Sequence, residues 1–214
     1  WNVERLKHID KIDAMQSLCR DVAAAILVLT ETDSRIRPYY KNCINTPPAK
    51  EVISALYKDT ENRVSIYTNY EIVRQRETYD PYTALCAELK TERGNLLVYG
   101  TIMGIFGNRE ESYKPDTEKQ MKDIRRLSEI GSICVIGDYN CSFSDNYYFT
   151  NYGRDLVTET FYDSDISILT EDRSECIDHI AMSKDFIGDA DIKVSEWNLD
   201  KSLSDHKGIV VELG

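Results

Sequence analysis

The chain has 214 residues, 42% hydrophobic and 29% charged, with a formal net charge of -11. That length and balance predict one soluble globular domain over 1–214, with enough chain to bury a sizeable core. No stretch approaches the ~20 apolar residues of a membrane span, and an acidic chain does not grip duplex nucleic acid through its overall field.

A local basic patch or a bound metal still leaves nuclease chemistry open. The chain opens on Trp1 with no Met and no signal-like apolar run, so further residues are expected upstream. Trp1-Asn2-Val3 reads as the tail of a strand. Ile9, Ile12, Met15, Cys19 and Val22 recur at helical spacing and predict an amphipathic helix over 9–22. Ala25 to Thr30 is a continuous apolar run, hence a strand buried on both faces that stops at Glu31. Residues 38–50 hold three of the five prolines and read as irregular.

Arg63 to Thr68 and Tyr82 to Lys90 alternate as strands do, and Asn95 to Met103 is a further apolar run. Arg93-Gly94-Asn95 between the last two is a hairpin turn, so part of the sheet must be antiparallel. Residues 104–116 read as loop and Asp116 to Glu129 as helix. The basic residues Lys119, Lys122, Arg125 and Arg126 read as that helix's solvated face. Ile133 to Ile136 is a buried strand closed by Gly137-Asp138-Tyr139-Asn140. Ser142 to Tyr152 is a tyrosine-rich surface loop, and Arg154 to Tyr162 a helix. Cys176 to Met182, Ala190 to Val194 and Lys207 to Leu213 are strands. Many short strands with few helices predict packed sheets covered by helices, an α+β class. The six cysteines show no C-x-x-C spacing. They read as reduced, mostly buried thiols of a cytoplasmic protein.

Polar chemistry collects at strand ends. Glu31 follows one strand, Asp138 and Asn140 another. Asp178 and His179 lie within a third, Asp205 and His206 precede the last, and Asn2 sits beside the first. Each has an ordinary explanation as a turn or solvated end, and His179 reads as a satisfied core histidine. Their joint occurrence is what a metal and phosphate site on one rim of a sheet sandwich requires.

Five segments carry a resemblance: Trp1-Asn2-Val3, Ile26 to Glu31, Gly137-Asp138-Tyr139-Asn140, Ile177-Asp178-His179-Ile180 and Ser204-Asp205-His206. In that order the chain resembles the endonuclease/exonuclease/phosphatase superfamily of metal-dependent phosphoesterases. The resemblance implies a four-layered α/β/β/α sandwich of two mixed sheets flanked by helices. It implies that Asn2, Glu31 and Asp205 hold a divalent cation, Mg²⁺ or Mn²⁺. It also implies that Asp138 and Asn140 position or activate the attacking water and contact the phosphate. His206 would contact the phosphate or transfer a proton, with Asp178 orienting its imidazole. The implied activity is phosphodiester hydrolysis by a monomer, most naturally on nucleic acid; the alternatives are a phosphatase for small molecules or lipid headgroups, or a silent binding module. Members of the superfamily place a histidine or tyrosine where this chain has Ile102. Asn108 and Arg109 in the following Gly-rich segment are the candidate substitutes for substrate binding.

Overall fold

The computed structural model describes residues 1–52, 55–104, 113–148 and 150–214. Eleven strands are assigned among them. The larger sheet has the order β4 (Glu71–Arg76), β5 (Ala84–Thr91), β6 (Gly94–Ile102), β7 (Ile133–Asp138), β9 (Asp178–Ser183), β8 (Ile166–Ile168). It is mixed: β6 and β7 run parallel, and all its other neighbours are antiparallel. The second layer holds β1 (Ile26–Asp33), β3 (Glu61–Thr68) and β2 (Asn42–Asn45), in the order β1-β3-β2. It also holds the pair β10 (Ile192–Trp197) and β11 (Gly208–Leu213). Residues 1–3 lie alongside β1, joined by a parallel bridge between Asn2 and Thr30.

Three apolar clusters fill the three spaces between four layers. Val28, Val64 and Ile66 meet Leu89, Val98 and Ile180 between the sheets. On the outer face of β1, Leu27 and Leu29 pack under Met15 and Cys19 of α1 (Ile12–Val22). On the outer face of the larger sheet, Tyr99 and Val135 pack beneath two helices. These are α2 (Tyr113–Ser128), through Met121, Ile124 and Leu127, and α3 (Asn151–Asp163), through Val157 and Phe161. Alternate residues of β1, β6 and β7 thus serve different cores, which is why those strands read as unbroken apolar runs. The four-layered sandwich is the architecture that the resemblance implies; its parallel pairing lies at β6–β7 and at the Asn2–Thr30 bridge, and β1-β3-β2 and β10-β11 pair antiparallel.

The hairpin joining β5 to β6 is as predicted, with Thr91 opposite Gly94. Four short elements depart from the sequence reading: β2, β4, β8 and the single turn α4 (Lys184–Ile187). Residues 113–116, read as loop, begin α2, and the strand read from Cys176 begins at Asp178. β1 does not stop at Glu31. Its ladder with β3 resumes at Thr32, opposite Asn62, after Glu31 takes a positive φ of 45°. All six cysteines are free, and all but Cys43 are buried.

Two backbone features shape the rim where β7 ends. Gly137 has φ 151°, and a Cβ there would lie 1.9 Å from Thr101 O on β6, so only glycine allows this approach. Glu4, Arg5 and Leu6 take φ of 47°, 56° and 51°, a left-handed turn built without glycine. Each such residue costs about 1–2 kcal/mol. Strain of this kind concentrates at functional sites.

Candidate active site

Asp138 at the end of β7 and Asp178 at the start of β9 are cross-strand partners, so the ladder itself sets two carboxylates side by side. Both are 3% exposed. The segment before β11 brings His206 over them, and its Nδ1 lies 2.6 Å from Asp178 Oδ2. That segment is fixed from behind. Asn198 Nδ2 donates to Ser204 O and His206 O at 2.8 Å each, and Trp1 Nε1 donates to His206 O at 3.1 Å. Ser204 Oγ donates to Asn2 O at 2.6 Å and accepts from His206 N at 3.2 Å. The chain's first residues and its last loop therefore hold each other and the histidine.

The charges explain the protonation states. Burial opposes a charged His206. Asp178, through charge and hydrogen bond, then Asp138 and Asp205, outweigh that and lift its pKa to about 10. Burial pushes Asp138 up to about 6, against the His206 charge and the donors of Asn140 and Asn2. Burial likewise opposes ionisation of Asp178, but His206 holds its carboxyl below the ordinary value. The rim at neutral pH thus carries an imidazolium braced by one carboxylate, beside a second carboxylate whose pKa is near the working range of a base.

Asp138 is oriented by two donors: Asn2 Nδ2 to Oδ2 at 3.1 Å, and Asn140 N to Oδ1 at 2.9 Å. Asn140, at φ 49°, spends its side-chain NH₂ on Met103 O at 2.9 Å and Gly104 O at 3.4 Å. Its Oδ1 is therefore the atom left to face a ligand, as an acceptor. Asn2 Oδ1 accepts from Glu4 N at 2.9 Å, and Glu4 Oε2 accepts from Asp205 N at 2.9 Å. Lys7 Nζ bonds Glu4 Oε1 at 2.7 Å. That bond raises the Lys7 pKa against burial, and the charges of Glu4, Asp205 and Glu31 add to the effect. Glu4 is therefore the acid that holds this cation, and Asp205 is joined to Glu4 through its backbone N–H. Among the described residues, no three His, Cys, Asp or Glu side chains converge tightly enough to hold a metal by themselves.

The structure brings Asn2, Asp138, Asn140, Asp178, Asp205 and His206 together, and Glu31 follows Thr30, the bridge partner of Asn2. Asn108 and Arg109 lie outside the described residues. Ile102 is 1% exposed within the core between the sheets, so it touches no ligand. His179 is the buried core histidine that its alternation predicted. Its Nδ1 pairs with Thr170 Oγ1 and its Nε2 with Cys141 O, both at 3.0 Å, and burial depresses its pKa to about 4. Cys141 is buried, and burial raises its thiol, so it is no thiolate nucleophile. Sequence reasoning missed Glu4 and Asn198, and gave Ser204, named within its segment, no part beyond a turn. A polar residue beside a motif carries no signal of its own, and only the closure of residues 1–4 onto 198–206 reveals their part.

No family model matches the chain, and no curated protein matches it. Solved structures do. One is a 3′ phosphatase, NExo, from Neisseria, an Asp-to-Asn variant bound to product DNA hairpin. It is 15% identical, with TM-score 0.75 over 100% of this chain and 97% of that one. The 3′-5′ exonuclease NExo from Neisseria meningitidis is 16% identical, with TM-score 0.73 over the same shares. A humanized TDP2 from D. rerio is 12% identical, with TM-score 0.69 over 100% and 96%. The chain therefore shares its fold with these proteins over its whole length.

Proposed function

We propose that this chain is a divalent-metal-dependent phosphoesterase that hydrolyses phosphodiester bonds, with nucleic acid as its substrate. The observation that carries this reading is the His206–Asp178 pair at 2.6 Å, set beside Asp138 by the β7–β9 ladder. In this reading Asp138 accepts a proton from the attacking water, and Asn140 Oδ1 helps to orient that water. The new bond forms between the water oxygen and phosphorus as the ester P–O bond breaks. His206 offers its Nε2 proton to the departing oxygen, while Asp178 holds the ring and its charge. Asp138 and His206 therefore act as base and acid on opposite sides of one phosphorus.

The donor set suits Mg²⁺. It is all oxygen, and Mg²⁺ binds through one or two carboxylates while keeping waters and substrate phosphate as its other ligands. Glu31 and Asp205, with the Asn2 amide oxygen, are the residues that would hold it. Bound there, the ion would neutralise charge on the phosphoryl oxygens.

The test is hydrolysis by purified protein with Mg²⁺ or Mn²⁺. The panel is single-stranded DNA, plasmid DNA, RNA, bis-p-nitrophenyl phosphate, 3′-phosphorylated oligonucleotides and inositol phosphates. Metal-dependent cleavage of diesters is the expected result. Turnover of phosphomonoesters alone would make the chain a phosphatase instead. No turnover above a His206→Ala control on any substrate would overturn the reading.

A further inference from the structure

A cleft of about 450 Å³ opens from the His206–Asp178 pair, and Asn140 shares its lining. That volume lies within the ~300–1,000 Å³ range of small-ligand pockets. Two loops form its outer wall, each held in shape by its own hydrogen bonds. In the first, Ser142 N donates to Tyr148 O at 2.7 Å. Asp145 accepts from Tyr147 N at 3.0 Å and from Glu175 N at 2.7 Å, which pins the loop to the segment before β9. In the second, Asn198 Oδ1 accepts from Leu203 N at 3.0 Å. The same asparagine fixes the His206 carbonyl, so Lys201 rides on the loop that sets the histidine.

The two loops meet across the cleft. Lys201 Nζ donates to the Tyr147 hydroxyl at 2.9 Å and lies 4.7 Å from the ring centroid. These distances put the ammonium at the hydroxyl end of the ring rather than above its centre. Tyr147 is 47% exposed, although its loop is tied down on both sides. Lys207, the other lysine lining the cleft, is bound to Glu196 at 2.9 Å and to Ser174 O at 2.7 Å. The Lys201 hydrogen bond goes to a neutral hydroxyl, and although Glu175 and Asp205 also line the cleft, neither forms an ion pair with it, so its ammonium can still meet an anion. A preorganised ring with a cation at its edge matches a base and its flanking phosphate. An inositol phosphate or a lipid headgroup has no flat π face to offer the ring.

We propose that Tyr147 and Lys201 form the subsite for the nucleotide adjoining the scissile phosphate. Tyr147 stacks its base and Lys201 contacts the next phosphate. Unpaired strands are then the substrate class, because a base held in a duplex cannot reach the ring. The proposal rests on reading the His206 cleft as a phosphoesterase site, but its first test is binding and needs no turnover.

The experiment titrates a fluorescein-labelled single-stranded oligothymidine with the protein by anisotropy, in Ca²⁺ and again in EDTA. Tyr147→Ala should bind about tenfold more weakly, and Tyr147→Phe, which keeps the ring, within about twofold of wild type. Lys201→Gln should weaken binding and lower the salt-dependence slope by about 0.7, the loss of one phosphate contact on a single strand. For catalysis, the ratio of kcat/KM on oligonucleotide to kcat/KM on bis-p-nitrophenyl phosphate should fall about tenfold in Tyr147→Ala. Wild-type protein that binds no oligonucleotide in either buffer overturns the proposal. So does a Tyr147→Ala protein that binds as wild type, or one that loses both substrates equally. Normal binding effects with no hydrolysis of any ester would uphold the subsite and overturn the proposed function instead.

Discussion

Removing the charge of Asp178 while keeping its shape tests the electrostatics of the site. The His206 pKa of about 10, against an ordinary 6.5, is the outcome of burial opposed by Asp178, then Asp138 and Asp205. That gap corresponds to roughly 5 kcal/mol favouring imidazolium. Asp178 is the largest attractive source and makes the direct 2.6 Å bond. Asp178→Asn should therefore lower the His206 pKa by on the order of two pH units, within the span for losing an adjacent opposite charge. It should also reduce kcat by ~100-fold, since the imidazolium, still mostly protonated at neutral pH, loses the counter-charge that braces it. The assay is ¹H–¹⁵N NMR of imidazole-labelled protein in metal-free buffer, where the chain's three histidines make assignment direct. Wild-type protein should show His206 cationic throughout pH 6–8 and His179 neutral there. A wild-type His206 that titrates near 6.5, or one unmoved by Asp178→Asn, would refute the argument.

Three further outcomes follow from the geometry. Gly137→Ala should destabilise the fold by ~2–3 kcal/mol in urea, because its Cβ would sit 1.9 Å from Thr101 O; an unchanged midpoint would contradict the close approach. Glu31→Gly should leave stability unchanged or raise it by up to ~1 kcal/mol, since glycine adopts φ 45° freely. The same change should weaken apparent Mg²⁺ affinity at least ~10-fold, and unaltered metal dependence would remove Glu31 from the ligand set. His179 has its folded pKa depressed from 6.5 to about 4. Its contribution is full above 6.5 and is lost as the pH falls toward 4. Wild-type protein should thus lose roughly 3 kcal/mol relative to His179→Gln over that window, and parallel stability curves would show His179 to be solvated.

Much of this was legible in the sequence because burial leaves a strong trace. β1, β6 and β7 each serve two cores, and their unbroken apolar runs announced it. The hairpin at Gly94 was equally plain. β2, with half-buried and exposed positions alternating along Asn42–Asn45, and β4, exposed or half-buried throughout, carry no such pattern. Ladder hydrogen bonds hold these strands, and such bonds cannot be read from composition. The acids and the histidine were visible as polar groups ending apolar strands. The residues that aim them were not. Ser204 and Glu4 act through bonds between the two ends of the chain, Ser204–Asn2 and Asp205–Glu4, and Asn198 through the backbone of its own loop at Leu203, Ser204 and His206. The left-handed turn at Glu4–Leu6 was hidden for a different reason. Its residues have no local preference for positive φ, and only packing against the rim imposes it.

The central claim is that His206, braced by Asp178 and set against Asp138, drives phosphoester hydrolysis. The most direct measurement is kcat for wild type and His206→Ala, with saturating Mg²⁺, on whichever diester of the panel turns over fastest. Mg²⁺-dependent turnover should fall ~100-fold or more in the variant, with the variant's fold intact by circular dichroism. Equal rates in the two proteins, or no metal-dependent turnover in either, would contradict it.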